Sequence, residues 1–195
     1  MAFINSIEII KFRGIQKLTV SEFSNINLIE GDNNSGKTTF LEAIQLLFAK
    51  SQLSSIKSVI NQRTMLNPNS SFYTSFIKMF NKEQDKDFLE FDIYALTENG
   101  KLEFELNGHE KTVSGEAALQ MSTLSARQKT QYKSAKTVIP ETAKVFTGSI
   151  ITQTGKKPVE KEIRCTSLDN AISGAIEKKR VHYIPSFGHL RYDLL

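Results

Sequence analysis

Gly31-Asp32-Asn33-Asn34-Ser35-Gly36-Lys37-Thr38 is the stretch on which the reading of this chain turns. It satisfies G-x-x-x-x-G-K-[ST], a loop whose glycines let the backbone wrap phosphate oxygens with its N–H groups turned inward. The flanks suit that reading. Ile26-Asn27-Leu28-Ile29-Glu30 is an apolar run and is expected to be a buried strand. Thr39 to Phe48 has helical period, with Phe40, Ile44, Leu47 and Phe48 on one stripe and Glu42 and Gln45 off it. Strand, glycine turn and helix N-terminus form the context that gives the motif a mechanism.

The chemistry implied is nucleoside triphosphate binding. A helix N-terminus offers unpaired N–H groups and a partial positive charge to an anion. Lys37 is expected to reach the β- and γ-phosphates, and the Thr38 hydroxyl to ligate a Mg2+ ion that bridges phosphate oxygens. Asn33, Asn34 and Ser35 form the crown of the loop, and Thr39 follows on the first helical turn. The motif therefore implies a nucleoside triphosphate and Mg2+ as cofactors.

Composition sets the frame. The chain has 195 residues, 39% hydrophobic and 24% charged, as in an ordinary globular protein. Cys165 is the single cysteine, which excludes a disulfide framework and favours a cytoplasmic setting. No stretch reads as a membrane span or a signal peptide. The net charge of +4 is uneven. Residues 1–100 carry 10 Lys/Arg and 11 Asp/Glu, a balance of −1; residues 101–195 carry 15 and 10, a balance of +5. A basic second half permits a nucleic-acid surface without demanding one. His109, His182 and His189 lack zinc-ligand spacing, and Cys165 reads as a lone, partly buried thiol.

Along the chain, Phe3 to Lys11 and Ile15 to Phe23 predict an antiparallel hairpin jointed at Phe12-Arg13-Gly14. Residues 51–86 are Ser- and Asn-rich with short helical patches, and Phe72, Phe76, Ile77 and Phe80 are spaced to pack from one helix face. Phe88 to Leu96 and Leu102 to Leu106 alternate around the turn signal Glu98-Asn99-Gly100, predicting a second hairpin. Gly115 to Lys136 reads as an exposed helix or a mobile loop within the ill-defined stretch 107–142. Val145 to Thr152 and Val159 to Thr166 predict a third hairpin around Gly155-Lys156-Lys157-Pro158. Ser167 to Lys179 reads as a helix with Leu168, Ile172 and Ile176 on one face, and Arg180 to Ile184 as a short strand.

Three segments carry a resemblance to a known family: Ile10-Lys11-Phe12-Arg13-Gly14-Ile15, Asn27 through Thr39, and Phe40-Leu41-Glu42-Ala43-Ile44. In content and spacing, residues 1–48 resemble the N-terminal lobe of an ABC-type ATPase head of the SMC, RecF and OLD-nuclease kind. Beyond residue 48 the likeness is one of architecture, with Tyr183-Ile184-Pro185-Ser186 similar to a strand end that such proteins place near the nucleotide, and Arg191 the candidate for the arginine that follows it. The resemblance implies an α/β P-loop NTPase fold, a mixed sheet with an antiparallel side sheet. It divides the chain into a nucleotide-binding core (1–50), a side-sheet and helical insertion (51–142), and a hairpin, helix and returning strand (143–195). It also places Lys11 and Arg13 beside the nucleotide, and implies a second ATPase head as partner and action on DNA, in repair or phage defence.

Such heads complete their site with a signature segment, an apolar strand ending in Asp-Glu, and a switch histidine. Leu89-Glu90-Phe91-Asp92 alternates like a side-sheet strand and does not supply the second of these. No catalytic residue is identified, and the expectation is the front lobe of a longer protein, with its C-terminal lobe lying elsewhere. A non-hydrolysing binding module remains the alternative, as does another P-loop enzyme, a kinase or a GTPase. Against a GTPase, Asn81-Lys82-Glu83-Gln84 fails the guanine-reading pattern at its fourth position.

Overall fold

A computed structural model describes residues 4–49, 51–66, 69–81, 88–133, 139–154, 157–169 and 173–179. Seven strands form one sheet: β1 (Ile4–Phe12), β2 (Ile15–Ser21), β3 (Leu89–Thr97), β4 (Gly100–Ser114), β5 (Thr142–Thr154), β6 (Val159–Thr166) and β7 (Ser173–Lys179). Their order is β2-β1-β3-β4-β5-β6-β7, and every pair is antiparallel. Five helices accompany them: α1 (Lys37–Leu47), α2 (Gln52–Leu66), α3 (Phe72–Ile77), α4 (Gly115–Met121) and α5 (Ala126–Lys133).

Alternation explains the layers. Phe91 and Ile93 of β3, and Phe104 and Leu106 of β4, face the same side as Ile7 and Ile9 of β1. Phe40, Ala43, Leu46 and Leu47 of α1 join them there, with Ile56, Val59 and Ile60 of α2 and Phe72, Tyr73 and Phe76 of α3. Phe76, Phe80, Phe91 and Phe146 meet edge-on or tilted at centroid distances of 5.0–5.6 Å. The packing role expected for Phe72, Phe76 and Phe80 is therefore observed. On the opposite face, α4 makes a small second core of Ala118 with Ala143 and Val145.

Several readings are corrected. Residues 26–30 form no ladder: Ile26 is 90% and Leu28 88% exposed. An apolar run becomes a strand only when a neighbour takes its backbone groups, and none does among the described residues. The mixed sheet is accordingly observed as a wholly antiparallel one. The helix expected over Ser167 to Lys179 is instead a turn followed by β7, which pairs with β6. The helical spacing of its apolar residues is outweighed by ladder bonds along a waiting strand edge. Of the ill-defined stretch 107–142, residues 107–114 are the second half of β4, which runs on to Ser114 against β5, and the part read as an exposed helix or mobile loop holds the two short helices α4 and α5. The polar residues of that half of β4 hide the period, but a ladder needs only backbone. Gly108 and Gly148 face each other there, and a Cβ on Gly108 would lie 2.6 Å from the Gly148 Cα. In the Ser-rich segment, α2 is a full 15-residue helix. The segment 180–195, with Tyr183 to Ser186 and Arg191, lies outside the described residues.

Candidate functional site

The hairpin joint is built under strain and held by its surroundings. Lys11 and Arg13 both take positive φ, 55° and 53°, a conformation uncommon in non-glycine residues. Hydrogen bonds to a neighbouring segment fix it: Arg13 N donates to Met79 O (2.8 Å) and Asn81 N to Lys11 O (3.1 Å). Thus oriented, the Lys11 ammonium bonds Glu90 of β3. The Arg13 guanidinium turns to α1, where its Nε lies 2.7 Å from Glu42 Oε2. That contact is an ion pair by distance but is misaligned for a hydrogen bond, and Arg13 Nη2 is buried without a hydrogen bond. Arg63 of α2 supplies the well-formed bond to the same carboxylate, Nε to Oε1 at 2.7 Å. Burial lowers the Arg13 pKa and Glu42 opposes that shift. Two arginines from separate elements therefore converge on Glu42, one helical turn beyond Thr38, and fix α1 to the hairpin.

Sequence periodicity missed this cluster. Glu42 lies off the apolar stripe and reads as a solvent-facing residue, yet it is 3% exposed. No pattern of spacing announces it, because its partners come from residues 13 and 63.

The glycine loop leads into α1 as expected, though without the strand expected before it. Gly36 is the N-cap, left-handed at φ 97°, and no side chain caps the helix. The N–H groups of the first turn are thus left to an incoming anion. Asn34 is also left-handed, at φ 67°. A Cβ on Gly31 would sit 2.8 Å from the Ser35 Oγ, so the loop closes on a position that only glycine fills without displacement. Ser35 N donates to Asp32 O (3.2 Å), tying the crown. Lys37 curls back: its Nζ donates to the carbonyls of Gly31 and Asp32, the latter at 2.7 Å. The ammonium is thereby held inside the loop's arc. Left-handed glycines, an uncapped helix start and a lysine inside the curve fit a polyphosphate with its metal. Thr38 is exposed on the first turn, where it would serve the metal; the phosphate oxygens would supply the other ligands. Among the described residues no His/Cys/Asp/Glu group gathers to hold a metal by itself.

An open groove of about 970 Å3 runs from this loop along β2, lined by Gly14, Ile15, Leu18, Ile26, Leu28, Ser35, Gly36, Lys37 and Phe40 among others. The groove follows the whole of β2, from Gly14 at the joint to Ser21 and Phe23 at its other end. Arg13 and Lys11, at the joint, each already have a carboxylate partner. Asp92 stands apart: its side chain is on the sheet face opposite α1, paired across from Glu105. Burial, then the charges of Glu105 and Glu90, push its pKa up to about 7.

The model of a family described as an AAA ATPase domain matches residues 3–181. A stretch of 45 residues is 47% identical to the DNA replication and repair protein RecF of Idiomarina loihiensis, covering 23% of this chain and 13% of that protein. No solved structure matches the chain.

Proposed function

We infer that this chain, which belongs to the AAA ATPase domain family, is the ATP-binding lobe of a RecF/SMC-type ATPase that works on DNA in repair or phage defence. The observation that carries the reading is the start of α1: a left-handed Gly36 N-cap with no side-chain cap, and Lys37 drawn into the loop. When bound, Mg2+ neutralises the phosphate charge that develops during transfer. The chain's own contribution is to bind and orient. Backbone N–H groups from Gly31 to Thr38 cradle the phosphates, with Asn33, Asn34 and Ser35 at the crown. Lys37 exchanges loop carbonyls for phosphate oxygens, and Thr38 presents its hydroxyl to the metal, with Thr39 beside it. Arg13 and Lys11 are assigned to the border of the site by resemblance; Glu42 ties Arg13 to α1, and Glu90 ties Lys11 to β3.

The DNA part of the reading is supported by the similarity to RecF and by the +5 balance of residues 101–195. A second ATPase head, joining across the phosphate loop, is the expected partner for hydrolysis. No helix among the described residues is long and apolar enough to cross a membrane.

The test compares binding with turnover. With Mg2+ and ATP, the 195-residue chain is expected to bind nucleotide while hydrolysing far below the usual enzyme range of roughly 1 per second or more. Steady turnover in that range, lost in Lys37→Ala, would instead make the chain a complete enzyme. Failure to bind ATP at all would remove the reading.

A further inference from the structure

We propose that Glu42 is a positioning residue for metal-bound triphosphate, acting through α1 to set the direction of the Thr38 hydroxyl. This rests on the reading of the loop as a nucleotide site and adds to it a residue outside the loop motif.

The first turn of α1 has little to hold it from upstream. Residues 26–30, which lead into the loop, join no ladder among the described residues, and Ile26 and Leu28 stand open to solvent. No side chain caps the helix at Gly36. The placing of Thr38 therefore comes from the body of α1, downstream of it. There Phe40, Ala43, Leu46 and Leu47 are buried in the main core. Apolar contacts are non-directional. They choose which face of α1 is inward, but they tolerate a small turn about the axis, or a slide along it, far better than hydrogen bonds do.

Directional contacts tie α1 to α2 along one seam. Gln45 Nε2 donates to Ser58 Oγ (3.3 Å), Ser55 Oγ donates to Gln45 O (3.3 Å), and Arg63 Nε donates to Glu42 Oε1 (2.7 Å). Partners in α2 move towards its C-terminus as those in α1 move towards its N-terminus, so the charged end of the seam lies nearest the loop. Arg13 meets the same carboxylate from the hairpin joint, its Nε 2.7 Å from Oε2. Glu42 is thus held from two sides by residues whose own backbones are fixed. Arg13 is left-handed and bonded to Met79 O, and Arg63 lies in the last turn of α2.

At about 100° and about 1.5 Å per residue, Glu42 follows Thr38 by roughly 6 Å along the axis and about 40° around it. A turn or slide of α1 that Glu42 resists would otherwise pass to Thr38 undiminished. A hydroxyl that ligates Mg2+ is sensitive to such shifts, because that ion demands near-ideal octahedral geometry at about 2.0–2.1 Å. Lys37 is not, because its flexible stem lets it follow a phosphate as a point charge. Glu42 therefore governs the metal-dependent part of binding and leaves the lysine's part unchanged. Energetics point the same way. Apolar side chains of similar volume often stabilise a fold as well as a buried ion cluster or better. What the charges add is direction.

The experiment is isothermal titration of ATP into each protein, once with Mg2+ and once with EDTA, giving a ratio of two affinities. A variant that is merely less stable loses the same factor in both, because only its folded fraction binds, and its ratio is unchanged. In the parent Mg2+ is expected to tighten binding, and Thr38→Ala should lose that gain. Glu42→Gln is expected to lower the ratio about tenfold or more, and the better-folded Arg63→Gln about fivefold or more. Arg63→Lys, which keeps the charge, should stay near the parent. The Thr38→Ala, Glu42→Gln double variant should show the ratio of Thr38→Ala alone, since residues acting as one unit are not additive. The proposal is overturned if Mg2+ gives the parent no gain, if Thr38→Ala keeps the gain, if either glutamine variant, once folded, keeps the parent's ratio, or if the double variant multiplies the two losses. ATP binding that is absent from the parent, or equal in the parent and Lys37→Ala, overturns the nucleotide reading itself and the role of Glu42 with it.

Discussion

Glu42 shows how one residue ties the site to the fold. Its carboxylate is 3% exposed and meets Arg13 and Arg63, whose side chains are 11% and 35% exposed. Removing the anion leaves a largely buried guanidinium uncompensated, and a broken buried pair costs about 3–5 kcal/mol. Glu42→Gln should therefore lower stability by about 3 kcal/mol in urea unfolding. Arg63→Gln should cost less, about 1 kcal/mol, because Arg63, about a third exposed, is partly solvated when free. Equal losses from the two would show that Arg13 does not depend on Glu42. None of this was legible in the sequence, since periodicity assigns a face from neighbours three and four residues away. Glu42 is held instead by residues 29 positions before it and 21 after it, differences read directly from the numbering. By contrast the Gly31, Gly36 and Lys37 pattern was legible, because a phosphate loop is a local solution and its letters lie together.

At the scale of elements, hairpins with local turns were readable and distant pairings were not. The Phe12-Arg13-Gly14 joint and the Glu98-Asn99-Gly100 turn, with Gly100 at φ 112°, stand where alternation placed them. The polar half of β4 and all of β7 depend on a neighbour's edge, so their own letters under-determine them. The Gly108–Gly148 crossing is the sharpest constraint on β4 and β5. A methyl at Gly108 would lie 2.5 Å from Thr147 O, and Gly108→Ala should cost about 1–3 kcal/mol by overpacking, read by thermal or urea unfolding. An unchanged midpoint would contradict the close pairing of those strands. The sheet's outer face gives a pH dependence. Burial first, and neighbouring carboxylates after it, raise Asp92 and Glu103 to about 7, above their ordinary values of 3.8 and 4.5. Lys11 opposes the shift at Asp92, and Lys101 at Glu103. A carboxyl raised on folding keeps the native state proton-rich. Its stabilisation is full below the unfolded value and is lost as pH rises through the folded one. Asp92→Asn should thus gain stability relative to the parent between about pH 4 and pH 7, and the gain should level off above that window. Paired urea titrations check it, and a gain that shrinks with rising pH would reverse the sign argued for this face.

The described residues form one antiparallel sheet with three helices on one face and a smaller core on the other. The phosphate loop hangs from the sheet's β2 side on a segment whose apolar residues Ile26 and Leu28 are open to solvent. In this arrangement the loop's shape rests on α1 and on the Arg13–Glu42–Arg63 cluster rather than on a strand ladder of its own. Leu28→Lys should then change the stability of the 195-residue chain by no more than about 0.5 kcal/mol, as for an ordinary surface site. A loss of 2 kcal/mol or more, on the order of a buried leucine, would place that segment in a core. Triphosphate binding through the loop is the claim on which the molecule's function stands, and isothermal titration of Mg2+-ATP into the parent chain and into Lys37→Ala tests it most directly. A charge-assisted contact of about 1.5–3 kcal/mol corresponds to an affinity loss of about 10- to 150-fold in the variant; equal affinity in the two proteins would contradict the assignment of Lys37 and the loop as the nucleotide site.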